Sequence, residues 1–186
     1  MNQRLSLPNW ITLTRFLGAP FLLWSLQDPE PISRWISLGV FLGVSLTDWL
    51  DGYVARRLNQ VTDLGKILDP LVDKLLVMAP LLALVARDEI PAGGVFVILA
   101  RELTIAGWRS NQAQVQGANN WGKLKTVVQI LAIALLIAPL SSRGETIAQI
   151  LFWVAVVLTI VSGLIYLSPV SRQEENNPKD RGLNNL

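Results

Sequence analysis

Six apolar stretches, each close to 20 residues long, follow one another along this chain of 186 residues, at roughly 8–27, 34–58, 65–87, 91–109, 120–139 and 147–168. A helix needs about 20 apolar residues to cross the hydrocarbon core of a bilayer. The pattern therefore predicts an all-α integral membrane protein with six transmembrane helices. Hydrophobic residues make up 51% of the chain, and its charges are clustered rather than spread, which argues against a soluble globular domain. The first stretch has the length of a signal peptide, but Arg15 and Pro20 interrupt it and no small-residue cleavage site follows, so it reads as a retained helix. Connections such as 27–33 and 88–91 are short. This predicts one six-helix domain over residues 1–170 and a polar, flexible cytoplasmic tail over 171–186.

Four aspartates conflict with this apolar setting. Asp48 and Asp51 fall in the second stretch, Asp69 and Asp73 in the third. Each would cost about 2.5 to 3.5 kcal/mol at the centre of a span, so four without partners would cost on the order of 10 kcal/mol. Something positive must lie between them. Asp48 and Asp51 are three apart and Asp69 and Asp73 four apart, so each pair shares one helix face. The two stretches meet at a short polar turn near 59–63 and should pack antiparallel, which sets Asp48 level with Asp73 and Asp51 level with Asp69. At 1.5 Å per residue the group lies roughly 12 to 20 Å from the turn, in a polar cavity at or just below the cytoplasmic face. Gly52 and Gly65 clear the backbone for a bulky ligand, and Arg56 can set a guanidinium against a phosphate. Two acidic faces of this kind form an all-oxygen cage suited to magnesium or manganese, with two ions holding a pyrophosphate. Asp73, deepest on its helix, is placed to take a proton from an attacking hydroxyl. A purely structural network of Asp69, Asp73, Lys74 and Arg56 competes with this reading, but the acids outnumber the bases.

Basic residues give the orientation. One side of the six spans receives Arg4, Arg56, Arg57, Lys66, Arg109, Lys123, Lys125, Arg172, Lys179 and Arg181, and the other only Arg34, Arg87 and Arg143. The richer side is cytoplasmic, so both termini are expected there. Trp10, Trp108 and Trp121 then lie near that face and Trp24 and Trp35 near the opposite one, as aromatic belts do. A net charge of +2 is too small to suggest nucleic acid as a partner, though its asymmetry suits anionic membrane lipids. The chain has no cysteine and no histidine, which removes disulfides, thiolate chemistry and the usual neutral base. Gly39 and Gly43 form a small-xxx-small pair, explained equally by a homodimer partner or by close packing within the monomer.

The run Asp48, two residues, Asp51-Gly52, two residues, Ala55-Arg56, eight residues, Gly65, three residues, Asp69, three residues, Asp73 resembles in full the signature of the CDP-alcohol phosphatidyltransferases. The resemblance implies a six-helix membrane enzyme that transfers a phosphatidyl group from CDP-diacylglycerol to an alcohol and releases CMP. It implies that Asp48, Asp51, Asp69 and Asp73 hold two divalent metals, Mg2+ or Mn2+, with Asp73 also the general base. It further implies that Asp48, Asp51, Gly52, Ala55 and Arg56, with Gly65, surround the CDP-lipid. The opening run 7–15, the stretch Arg101-Glu102-Leu103 with Arg109, and the run 122–126 look like the branch of the family that uses glycerol 3-phosphate. Arg101, Arg109, Lys123 and Lys125 are then the expected binders of the acceptor phosphate. Ser110 stands where that branch is expected to carry an acid. Sister reactions on inositol phosphate, serine or phosphatidylglycerol are the alternatives within the family, and a divalent-cation transporter is the alternative outside it. The expected location is the inner membrane of a bacterium or an equivalent organelle membrane.

Overall fold

The computed structural model describes the backbone over residues 7–58, 63–110 and 120–167, and side chains over 16–47, 72, 74–107, 122 and 124–165. Six α-helices account for nearly all of it: α1 (Leu7–Ser25), α2 (Pro31–Leu58), α3 (Asp63–Ala86), α4 (Ala92–Ser110), α5 (Asn120–Ile137) and α6 (Ser142–Leu167). All six expected stretches are helical. Their ends differ where helix chemistry and hydropathy part company. α2 opens on Pro31, whose fixed φ and missing N–H suit a first helical position, behind a turn in which the Asp28 carboxylate accepts from the Glu30 N–H at 3.0 Å and the Ser33 hydroxyl at 2.7 Å. α6 begins five residues ahead of its apolar run, because Arg143 and Glu145 are polar yet compatible with a helix. α3 closes with the Asp88 N–H on the Val85 carbonyl and the Glu89 N–H on the Leu84 carbonyl, both 3.0 Å, with Asp88 itself left-handed at φ 57°.

α3 is flanked by α1, α4 and α5, while α5 also packs on α2 and α6, and α6 on α4. Among the described side chains one continuous apolar core joins all six helices. Leu22, Phe41, Leu81, Leu84, Ile98, Ile133, Ile137 and Phe152 are its most deeply buried members. Gly94 lets α4 and α6 approach, since a Cβ there would lie 2.7 Å from the Phe152 ring. Gly39 and Gly43 differ: a Cβ at either would meet nothing within 4 Å, so packing among the described residues does not explain that pair.

The connections 26–30, 87–91 and 138–141 share one end of the bundle, where Arg34 fastens them together. Its guanidinium grips Glu89 through two bonds of 3.0 and 2.8 Å and donates to the Ile137 and Leu136 carbonyls at 2.9 and 2.6 Å. Those carbonyls belong to the last turn of α5 and have no partner in their own helix. Arg87 bonds Glu89 at 2.7 Å and the Gln27 carbonyl at 3.1 Å, and Gln149 reaches the Glu89 carbonyl at 2.6 Å. Burial pushes the Glu89 carboxyl up, but hydrogen bonds from Arg34 and then Arg87 outweigh it and hold it below its ordinary value.

The outside of the bundle is apolar. Trp24, Ile32, Trp35, Phe96, Ile147, Ile150 and Leu164 are all more than half exposed. Serine and threonine hydroxyls on α2, α4, α5 and α6 bond back to carbonyls of their own helix, as Thr47, Thr104, Thr126, Thr146 and Thr159 do. Among the described residues, Ser142–Ile165 of α6 is long and apolar enough to cross a membrane, with mean hydropathy 2.3. Phe16–Ser25, Pro31–Thr47, Lys74–Ala86 and Leu124–Ile137 are shorter apolar runs.

Candidate active site

The Arg34 end of the bundle fixes where everything else lies. If the C-terminal ends of α1, α3 and α5 meet there with the N-terminal ends of α2, α4 and α6, the opposite end carries the last turns of α2 and α4 and the first turns of α3 and α5. Asp48, Asp51, Gly52, Ala55 and Arg56 are in the second half of α2, and Gly65, Asp69 and Asp73 in the first half of α3. Arg109 is in the last turn of α4 and Lys123 in the first turn of α5. The backbone thus carries all of them toward one end. Their side chains, and with them the level pairing of Asp48 with Asp73 and Asp51 with Asp69, lie outside the described residues. Helical backbone through each aspartate pair keeps the i, i+3 and i, i+4 spacings on one face of each helix. The four side chains expected as donors are all carboxylates, the chemistry that magnesium and manganese accept. Among the described residues, which leave out the side chains of these four aspartates, no group of three or more acidic side chains lies close enough to hold a metal.

Two expected residues of the acceptor site are described, and they are brought together by a third. Lys125 on α5 is 4% exposed and donates to Oε1 of Glu102 on α4, and Arg101 donates to that same oxygen at 3.0 Å. A buried ammonium requires such a partner. Glu102 therefore already balances part of the charge that the sequence offers to a phosphate. Arg101 passes close to α6, where a Cβ on Gly163 would stand 3.2 Å from its Cγ, so this glycine gives the arginine stem its room.

Beside this group is a cavity of about 290 Å³, lined by Ser45 of α2, Lys74 of α3, Glu102 of α4, and Lys125, Thr126 and Gln129 of α5. Leu76, Val77, Ile98 and Ile130 form part of its apolar wall. Ser45 is one helical turn before Asp48, and Lys74 follows Asp73 directly. The cavity thus lies on the core side of the aspartate-bearing segments. Neither Glu102 nor Gln129 is evident as a site residue in the sequence. The signal for each was a polar side chain inside an apolar stretch, Gln129 one turn beyond Lys125.

The CDP-alcohol phosphatidyltransferase family model matches residues 5–161, and the chain belongs to that family. Among its relatives, the CDP-diacylglycerol–glycerol-3-phosphate 3-phosphatidyltransferase of Bacillus subtilis is 40% identical over 181 residues, covering 88% of this chain and 94% of the relative. The protein of the same name from Haemophilus influenzae is 33% identical, covering 89% and 93%. A CMP-forming cardiolipin synthase of Oryza sativa is 31% identical, over 90% of this chain but 58% of its own length.

Proposed function

We propose that this protein is a phosphatidylglycerophosphate synthase, transferring a phosphatidyl group from CDP-diacylglycerol to glycerol 3-phosphate with release of CMP. The observation that carries the reading is similarity over nearly the whole chain to bacterial enzymes named for that reaction, 40% in the Bacillus relative. The cavity supports it, because Lys125 and Arg101 stand beside the segments that carry the aspartates. Asp48, Asp51, Asp69 and Asp73 would hold two Mg2+ or Mn2+ ions. When bound, these supply charge neutralisation of the pyrophosphate. Gly52, Ala55, Arg56 and Gly65 line the path of the CDP-lipid. Asp73 takes the proton of the attacking hydroxyl, and Arg101, Arg109, Lys123 and Lys125 orient the acceptor phosphate by charge-assisted hydrogen bonds.

The enzyme spans the bilayer six times as one domain over 1–170, with the tail 171–186 and both termini in the cytoplasm and the site opening to that side. The apolar exterior supports this reading, as does the placement of Arg34, Arg87 and Arg143 at or near the opposite end. The open face around Gly39 and Gly43 is available to a second copy. The test is CMP release by the purified protein from CDP-diacylglycerol with glycerol 3-phosphate, inositol phosphate, serine and phosphatidylglycerol in turn. Glycerol 3-phosphate should be fastest. Faster turnover of another alcohol would reassign the acceptor, and absence of CMP release with every one would favour a cation transporter.

A further inference from the structure

Among the described residues, two side-chain nitrogens are buried without any hydrogen-bond partner, Arg101 Nε and Gln129 Nε2. Both are donors, and both are on helices that wall the cavity. Gln129 is 3% exposed and lines the cavity itself, one helical turn beyond Lys125 and so further toward the apolar core. An amide N–H₂ buried with no acceptor is costly, and native proteins keep few of them. Its neighbours do not relieve it. The Thr126 hydroxyl, which donates to the Gly122 carbonyl, and the Glu102 carboxylate, whose Oε1 accepts from Lys125 and Arg101, could both accept, but neither is within hydrogen-bond reach of the Gln129 amide nitrogen. A residue chosen only for packing at this apolar level would be leucine or methionine.

We infer that Gln129 is a specificity-determining residue of the acceptor site, donating its amide hydrogen to the hydroxyl oxygen of the acceptor that does not react. The inference rests on the acceptor assignment proposed above. Glycerol 3-phosphate has three polar points: a phosphate, the attacking terminal hydroxyl and a middle hydroxyl. The phosphate takes the cations, and the attacking hydroxyl must lie toward the aspartates. The middle hydroxyl is left, and Gln129 supplies the donor that it lacks. A site built to bond a hydroxyl rejects the analogue lacking it, because the protein's own polar group is then left buried and unpaired.

The experiment pairs two acceptors with two proteins: glycerol 3-phosphate and 3-hydroxypropyl phosphate, which lacks only the middle hydroxyl, each assayed on wild type and on Gln129→Met, at saturating CDP-diacylglycerol and magnesium. Wild type should prefer glycerol 3-phosphate in kcat/KM by roughly three- to tenfold, the range for a neutral hydrogen bond. Gln129→Met should remove most of that preference, raise KM for glycerol 3-phosphate by a similar factor and move KM for CDP-diacylglycerol less than about twofold. Thermal stability of the ligand-free variant in detergent should be equal or higher, since an unpaired buried donor has gone. That combination separates recognition from scaffolding, because a merely structural glutamine would lower stability and raise both constants together. Should Gln129→Met not fold, Gln129→Leu serves in its place, and failure of both to fold would make the residue structural and overturn the inference. A preference that survives the substitution, or a wild type indifferent to the middle hydroxyl, also overturns it while leaving the acceptor assignment intact. A wild type inactive on glycerol 3-phosphate but active on another alcohol removes both.

Discussion

Lys125 is buried to 4% exposure on an apolar helix, and among the described residues Glu102 is the acid paired with it. Lys125→Ala should raise KM for glycerol 3-phosphate roughly tenfold or more, since a charge-assisted hydrogen bond contributes about 1.5 to 3 kcal/mol. Arg109→Ala should act in the same direction. KM for CDP-diacylglycerol should move far less, and an equal rise in both constants would mean that these cations only shape the protein. Asp69→Asn keeps the side-chain shape and removes the charge, so magnesium affinity and turnover should fall together when metal is titrated against rate. Residue types are what mark the candidate site in the sequence, because carboxylates and cations stand out against apolar stretches. What they could not carry was the pairing. Glu102 and Lys125 are 23 residues apart and on different helices, so that one carboxylate oxygen serves both Arg101 and Lys125 follows only from how α4 and α5 are placed. The vacant donor of Gln129 is likewise a property of its surroundings, not of its type.

Helices were legible for a simple reason: apolar runs of the needed length leave few other ways to satisfy the backbone. Their ends were not, because hydropathy measures the apolar run and capping chemistry sets the helix. At Gly94 the contact between α4 and α6 depends on one missing methyl. Gly94→Ala would set a Cβ 2.7 Å from a Phe152 ring that is 1% exposed, so the buried ring or the helices must shift. Overpacking of this kind costs about 1 to 3 kcal/mol, of which better helix propensity returns up to about 1, so the melting temperature in detergent should drop. Glu89, at the same end of the bundle, gives a pH dependence. Its folded carboxyl titrates below its ordinary value, so its contribution to stability is present above that ordinary value and is lost as pH falls through the lowered one. Melting temperature should therefore decline in acid below the usual glutamate range. Glu89→Gln should flatten that decline; an unchanged acid profile would show that other carboxylates govern it.

At the scale of the whole molecule, cysteines introduced at Arg57 or Asn120 should be labelled only from the cytoplasm and one at Arg143 only from outside. Labelling of the Arg143 position from the cytoplasm would overturn the topology. Arg34 shows how the parts of the bundle depend on one another. Its partners lie 55, 102 and 103 residues further along the chain. During synthesis, α2 is therefore made with a guanidinium whose full complement of acceptors arrives only when α5 has been produced. Until then the arginine can reach for the lipid head groups, as long cationic side chains at helix ends do. Closure of this end of the bundle is thus expected late in synthesis. Nascent chains arrested before α5 should remain sensitive to protease at the 27–33 connection, and those released after α6 should become resistant.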